Sequence, residues 1–363
     1  MRRLTKLAAV VAVASLALVG CGNDGGSKTE GSTDPAASND ACKDAKGDGP
    51  KVGLAYDVGG RGDQSFNDSA YEGIKKAIAD LDATCTEAKA ANGENDDQRA
   101  ERLRTLAEQG FNPVVAVGFI YSPAAATVAP EYPDTEFAVI DGYSQFLVKD
   151  PQANLVDLTF AENEGSFLVG VAAAKKSEAK HVGFVGGTHG DLIKKFEAGY
   201  VAGVKAVDPS IKIDVKYLTE DPNDGAAGFE NPAGGKVAAE GMYDAGADIV
   251  YHAAGKSGLG VFEAATEAGK WAIGVDSDQW ATAAAEQQAH ILTSMLKRVD
   301  TAVFNVIKAV ADDAPPSGNV TYDLKAEGVG YATSGGFIDD IKADIDGFAD
   351  KIKSGEITVP TAP

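Results

Sequence analysis

The chain has 363 residues and a formal net charge of −21, from 54 acidic and 33 basic residues. A surface this acidic makes nucleic acid and anionic lipid head groups poor partners. The chain is also longer than one hydrophobic core usually supports, so we expect two domains.

The first twenty residues predict an export signal. Arg2, Arg3 and Lys6 precede an apolar run, residues 7–19, that is too short to cross a membrane. The run ends in Leu-Val-Gly-Cys at residues 18–21, which resembles the lipobox of bacterial lipoproteins. We therefore expect a signal peptide over residues 1–20 and a lipid on Cys21 that anchors the protein outside the cell membrane. An ordinary secretory signal with a chance cysteine is the alternative.

Residues 21–49 predict a flexible tether, because they are rich in Gly, Ser, Asn and Asp and contain hardly any apolar side chains. Such a coil reaches roughly 30 Å. Two further cysteines, Cys42 and Cys85, lie just before the first predicted strand and at the start of the second. An even pair in an exported protein suggests one disulfide, and two isolated thiols are the alternative.

The remainder of the chain alternates between predicted strands and helices. Apolar runs predict strands at 51–56, 112–119, 136–140, 154–160, 181–186, 211–218, 248–254, 270–275 and 290–295, in addition to the second strand, which begins at Cys85. Helical periodicity follows the first two strands, through Tyr71, Ile74, Ile78 and Leu81 and then Leu103, Leu106 and Ala107, and recurs at 165–176, 190–206, 236–245, 257–268 and 296–311. This alternation predicts parallel sheets with helices on both faces, in two similar halves that meet near residues 157–164.

Polar residues follow most of the predicted strands. Ligands of open α/β sheets bind beyond the carboxyl ends of the strands, so two such domains predict a site in the cleft between them. Asp57, Asp141 and Asp276 occupy such ends, and ionised carboxylates accept hydrogen bonds from hydroxyl or amino groups. Structural roles are the alternative: Asp57 as a turn cap, Asn67 or Asp68 as a helix N-cap, and Phe66 as a core residue.

Motifs for catalysis, metals and dinucleotides are missing from the sequence. It has no GxGxxG after the first strand, no GxxxxGK[ST], no HExxH and no GxSxG. We therefore expect no cofactor and no metal. Arg61-Gly62-Asp63 matches an adhesion tripeptide, but we interpret it as a chance match inside a cleft loop, since adhesion would need it exposed on a protruding tip.

Several segments together resemble the basic membrane protein family, which comprises lipoprotein receptors of ABC importers and includes purine nucleoside receptors. They are DVGGRGDQSFNDSAYEG, FAVIDG, TFAENEGSFLVGVAAA, KHVGFVGG, AAGKSGLGVFEAATEAGKWAIGVDSDQ and LTSMLKR, spread in order over residues 50–358. The resemblance implies a type I periplasmic-binding-protein fold, in which two α/β domains joined by three crossovers close on a ligand. We expect one lobe from residues 50–157 with about 289–331, and the other from 158–288 with about 332–358.

The resemblance also implies the ligand-binding residues. Asp57, Ser65, Phe66 and Asn67 belong to the loop that faces the ligand. Asp141 is similar to the acid that binds the nucleobase, Asp276 to the acid that binds the ribose hydroxyls, and Lys297 to its basic neighbour. A stacking aromatic and a backbone contact are expected at Tyr251 or His252, Gly255 and Gly258.

The opening loop departs from the family pattern. Several relatives carry a base-stacking aromatic there, whereas this chain has Gly59-Gly60-Arg61-Gly62. Arg61 could stack through its guanidinium plane, or Phe119 or Tyr121 could replace the aromatic. We thus expect a non-enzymatic receptor that passes a purine nucleoside (guanosine, inosine or adenosine) to an ABC permease. A receptor for a sugar or another small polar solute, and a nucleoside-processing enzyme, are the alternatives.

Overall fold

A computed structural model describes residues Asp40–Pro363. The predicted signal peptide, the lipidation site Cys21 and most of the predicted tether lie outside the described residues. No helix between Asp40 and Pro363 combines the length and the apolar character needed to cross a membrane.

Twelve strands and thirteen α-helices make up the described part of the chain. The strands are β1 (Lys51–Ala55), β2 (Thr84–Ala88), β3 (Val114–Val117), β4 (Phe137–Ile140), β5 (Leu155–Phe160), β6 (His181–Thr188), β7 (Lys212–Thr219), β8 (Ile249–Ala253), β9 (Trp271–Asp276), β10 (Ile291–Lys297), β11 (Gly318–Tyr322) and β12 (Val329–Tyr331). The helices are α1 (Ala41–Asp44), α2 (Phe66–Leu81), α3 (Asp96–Glu108), α4 (Ser122–Val128), α5 (Glu162–Lys176), α6 (Asp191–Val207), α7 (Gly225–Phe229), α8 (Pro232–Asp244), α9 (Gly258–Ala268), α10 (Gln279–Thr282), α11 (Ala285–Gln288), α12 (Val299–Ala311) and α13 (Lys342–Lys353).

The strands form two six-stranded sheets. The first has the order β11-β5-β4-β3-β1-β2 and is parallel throughout. The second has the order β12-β10-β9-β8-β6-β7, and within it only β12 runs antiparallel to its neighbour. The predicted alternation of strands and helices is therefore confirmed.

Both sheets bury their two faces, which explains why their central strands read as continuous apolar runs. In β3, Val115 and Val117 pack with α2, whereas Val114 and Ala116 pack on the opposite face with α3 and α4. The second sheet packs one face against α5 and α6 and the other against α8 and α9. One buried cluster is continuous from α2 and α12 to α5 and α6, so the halves share a core.

The chain crosses between the two sheets in three places, and one crossing differs from our expectation. We expected residues 289–331 in the first half, but β10 lies in the second sheet, where Leu296 pairs with Asp276. The strand continues to Lys297, so α12 begins at Val299 rather than at the predicted residue 296. After this crossing α12 packs against α2, and β11 joins the first sheet.

Cys42 and Cys85 form a disulfide. Cys85 lies in β2 opposite Val52 of β1, so the bond ties α1 to the starts of two neighbouring strands, as expected from the sequence.

Candidate functional site

A cleft lies between the carboxyl ends of the two sheets and has about 600 Å³ of space unoccupied by atoms, part of it open to solvent. Its polar lining contains Asp57, Asp63, Asn67, Asp141, Lys256, Asp276 and Lys297, and its apolar lining includes Phe66, Phe119, Phe196 and Phe229. Gly255 also lines the cleft.

Asp63 organises the opening loop, a role that the sequence analysis missed. Its carboxylate accepts hydrogen bonds from the backbone N–H groups of Ser65, Asn67 and Asp68 at 3.0, 2.8 and 3.1 Å, and from Asn67 Nδ2 at 3.1 Å. Asp63, rather than Asn67 or Asp68, therefore satisfies the first N–H groups of α2. Its side chain is only 2% exposed, which excludes the adhesion tripeptide as a protruding tip.

Asp57 and Asn67 are joined at the end of β1. Asn67 Oδ1 accepts a hydrogen bond from the Asp57 N–H at 3.1 Å, so the amide side chain fixes the loop as well as lining the cleft. Burial raises the pKa of Asp57 to about 7. Gly118 has a positive φ, and a Cβ there would lie 2.1 Å from Asp57 Oδ2, so only glycine allows this close approach of β3.

A buried ion cluster connects the two halves. Asp141 follows β4, Asp276 ends β9, and both adopt left-handed backbone conformations, with φ of 59° and 64°. Lys297 Nζ donates to Asp141 Oδ2 at 2.6 Å and lies 3.6 Å from Glu162 Oε1. Lys297 is 2% exposed, so these charges compensate one another away from water.

Burial and neighbouring charges shift the pKa values of Lys297 and Asp276. Burial alone would lower the pKa of Lys297, but the carboxylates of Asp141 and Glu162 outweigh it and raise the pKa. Burial raises the pKa of Asp276, partly offset by Lys297 and by Ser65, whose Oγ donates to Asp276 Oδ2 at 2.5 Å. That hydrogen bond joins the opening loop of the first half directly to the second sheet.

Aromatic side chains surround the ammonium group of Lys297. Its Nζ lies 4.9 Å from the ring centroid of Phe66, 5.0 Å from that of Phe160 and 5.6 Å from that of Phe196. These rings stabilise the buried cation, and those of Phe66 and Phe196 also give the cleft flat apolar walls. Phe196 and Phe229 were not predicted, because Phe196 occupies an ordinary core position of α6 and Phe229 ends the short helix α7.

Two expected stacking residues do not line the cleft. The Arg61 guanidinium lies 3.6 Å from the centroid of the Tyr71 ring and pairs with Glu87 at 3.5 Å, on the side of β2. Tyr121 is fully buried and donates to the Tyr56 carbonyl at 2.9 Å. The prediction that either of them replaces the missing aromatic is therefore wrong, whereas Phe119 does line the cleft.

Three expected residues of the second half also lie away from the cleft. Tyr251 is fully buried against Phe184 and Tyr200. His252 is fully buried beside the ring of Phe262 and close to the side chain of Gln279. Gly258 begins α9, and a Cβ there would lie 2.0 Å from the His252 ring, so its role is close packing.

Comparison with known proteins places the chain in a family. A family model described as "ABC transporter substrate-binding protein PnrA-like" (Bmp) matches residues 51–362. The chain belongs to this family. The resemblance to basic membrane proteins is thereby confirmed.

Named relatives and a solved structure agree with this assignment. The "CD4+ T-cell-stimulating antigen" of Listeria monocytogenes is 35% identical, over 86% of this chain and 88% of the relative. The "ABC transporter nucleoside-binding protein BmpA" of Lactococcus lactis is 34% identical, over 86% and 89%. A crystal structure of an ABC transporter solute-binding protein from Aeropyrum pernix superimposes with a TM-score of 0.73 at 26% identity, over 86% and 93%.

Membership of the family establishes the general function of the protein. The protein is a substrate-binding protein of an ABC transporter with a type I periplasmic-binding-protein fold, and it is not an enzyme. Such proteins bind a small molecule outside the cytoplasm and work with a membrane permease.

Proposed function

We propose that the protein captures a purine nucleoside, either guanosine, inosine or adenosine, in the cleft between its two sheets and delivers it to the permease. The observation that carries the proposal is a pair of buried carboxylates, Asp141 and Asp276, that lie with a buried lysine between aromatic walls. A nucleoside has a flat base for the aromatic walls and ribose hydroxyls for a carboxylate. The name of the Lactococcus lactis relative supports the same ligand class.

Each carboxylate has a distinct role in this proposal. Asp141 uses Oδ2 for Lys297, while its Oδ1 is buried and accepts no hydrogen bond from any described residue. Oδ1 therefore accepts a hydrogen bond from the nucleobase. Asp276 accepts hydrogen bonds from the ribose hydroxyls, and Lys297 offsets the charge of both acids.

Closure of the cleft follows from the same contacts. Ser65 bonds to Asp276 across the cleft, and Ser277 Oγ donates to the Ser65 carbonyl at 3.2 Å. A ligand held by acids from both sheets stabilises this closed arrangement by differential contact, since an open cleft contacts only one side of it.

The ligand is tested by denaturing the purified protein and measuring the masses of the released small molecules. A purine nucleoside is expected, and calorimetric titration then gives its affinity. A released sugar, together with no measurable binding of guanosine, inosine or adenosine, would replace the proposal with the sugar-receptor alternative.

We further propose that a lipid on Cys21 anchors the protein to the outer face of the cell membrane, with the segment up to residue 39 as a tether. The predicted bound at residue 49 is too late, because α1 and the Cys42–Cys85 disulfide tie residues 41–44 to the first sheet. This rests on the sequence around Cys21. Cys21→Ser is expected to move the protein from the membrane fraction to the soluble fraction, because lipidation needs the thiol. A variant that remains in the membrane fraction would contradict the anchor.

A further inference from the structure

A groove adjoins the cleft beyond Asp141. The two cavities share Phe119, Asp141, Leu192 and Ile193 in their linings, so they lie side by side. The groove takes its walls from both halves of the protein: Thr159 and Phe160 end β5, whereas Thr188 ends β6 and Lys195 belongs to α6. A ligand that fills the cleft thus has room to extend in this direction.

The groove has buried side-chain oxygens that lack a hydrogen-bond partner. Thr188 is 1% exposed, and its Oγ1 makes no hydrogen bond with any described residue. Glu162 is fully buried, and its Oε1 likewise accepts no hydrogen bond, although Lys297 Nζ lies 3.6 Å away. Leaving such groups unpaired costs free energy, so natural structures rarely keep them without a purpose.

The chemistry of these oxygens limits what the groove accepts. A carboxylate oxygen only accepts hydrogen bonds, and the Thr188 hydroxyl can also accept. The acids Asp141 and Glu162 are paired with Lys297, and Lys195 is paired with Glu162 Oε2 at 3.2 Å, so neither lysine is free to bind an anion. The groove therefore favours a group that donates hydrogen bonds, such as a hydroxyl or an amine, and disfavours a phosphate or carboxylate.

We propose that this groove is a second binding compartment that accepts a hydrogen-bond-donating substituent on the nucleobase. The proposal rests on the proposed function, in which the base contacts Asp141 Oδ1. It adds that the receptor accepts base-substituted nucleosides, with the Thr188 hydroxyl as the group that selects the substituent.

The test compares nucleosides that differ only at the end of the substituent. Adenosine with a hydroxyethyl or hydroxypropyl group on N6 is titrated beside adenosine with a propyl or butyl group, and the same pairs are made on guanosine N2. One hydrogen bond to a buried partner predicts about three- to tenfold tighter binding of the hydroxyalkyl member. A carboxyethyl substituent is expected to bind more weakly than propyl.

Variants of Thr188 test whether its hydroxyl is the hydrogen-bond partner of the substituent. Thr188→Val, which keeps the shape, should abolish the preference for the hydroxyalkyl nucleoside, and Thr188→Ser, which keeps the hydroxyl, should retain it. Thr127→Val is the matched control, because Thr127 is exposed on α4 and donates to the Pro123 carbonyl.

The outcomes separate this inference from the proposed function. Failure of adenosine and guanosine themselves to bind would overturn both. Two outcomes would overturn the proposed binding role of the groove and leave the proposed function standing. In the first, the unsubstituted nucleosides bind but the hydroxyalkyl members bind no better than the alkyl members. In the second, the hydroxyalkyl preference exists but Thr188→Val leaves it unchanged.

Discussion

Replacing Asp276 with asparagine tests the proposed ribose contact. Asp276 is 7% exposed and has a φ of 64°, a conformation that asparagine tolerates better than other residues. Asp276→Asn therefore removes the charge and keeps the backbone, whereas Asp276→Ala would add roughly 1–2 kcal/mol of backbone strain. The change isolates what the ionised carboxylate contributes to binding.

The expected loss of ligand affinity in Asp276→Asn follows from the number and type of hydrogen bonds that the carboxylate makes. A bond to a charged group contributes about 1.5–3 kcal/mol and a neutral one about 0.5–1.5 kcal/mol, so each ribose hydroxyl loses about 1 kcal/mol. Two hydroxyls give about 2 kcal/mol, or roughly a 30-fold loss of affinity. Because burial raises the pKa of Asp276, the folded state disfavours its charge, and neutralisation should not lower the stability of the unliganded protein.

Calorimetric titration with guanosine and inosine measures the affinity, and thermal melts of the unliganded proteins measure the stability. Asp313→Asn is the matched control, since Asp313 has a φ of 56° and is exposed after α12. Unchanged affinity together with a lowered melting temperature would show that Asp276 supports the fold and would refute the ribose contact.

Two further substitutions test the charges of the cleft. Lys297→Met should destabilise the protein by about 3–5 kcal/mol in urea unfolding, because Asp141 and Glu162 lose their counter-charge inside the protein. Asp57→Asn should remove a pH dependence of stability. The pKa of Asp57 is raised from 3.8 to about 7, so its protonated form favours folding, and that stability is lost as the pH rises from about 4 to about 7.

Each of these predictions has a control. Lys308→Met removes an exposed ion pair with Asp312 and should cost less than about 0.5 kcal/mol, so equal effects of the two lysine substitutions would contradict the buried cluster. For Asp57, urea unfolding at pH 5 and pH 7.5 gives the slope, and Asp313→Asn should leave it unchanged. If Asp57→Asn keeps the wild-type change of unfolding free energy with pH, another group is responsible for that change. Asp63 is such a group, because burial raises its pKa to about 6.

The sequence predicted residues at strand ends well and residues inside strands poorly. Asp141 follows β4, Asp276 and Lys297 end their strands, and all three line the cleft. Tyr251 and His252 lie inside β8, where helices cover both faces, so their side chains enter the cores. A side chain therefore reaches the cleft only if its residue lies at or just beyond the last residue of a strand. Sequence patterns give the end of a strand only approximately.

Other features needed tertiary information. β11 and β12 escaped prediction because both are short and neither is an unbroken apolar run. Asp63 was not recognised as a capping residue because it follows a loop with three positive-φ glycines, Gly59, Gly60 and Gly62, whose path no periodicity describes. Phe196 shares one helix face with ordinary core residues, and only the packing of α6 brings it to the cleft.

The late position of β11 and β12 in the chain has a consequence for biogenesis. β11 completes an edge of the first sheet and β12 an edge of the second, yet both come after residue 317. A nascent chain that ends before this point contains neither edge strand, and the crossings leave neither half as a contiguous stretch. Final assembly of either half must therefore await the synthesis of β11 or β12, and until then the exposed edges of β5 and β10 are open to pairing with other chains.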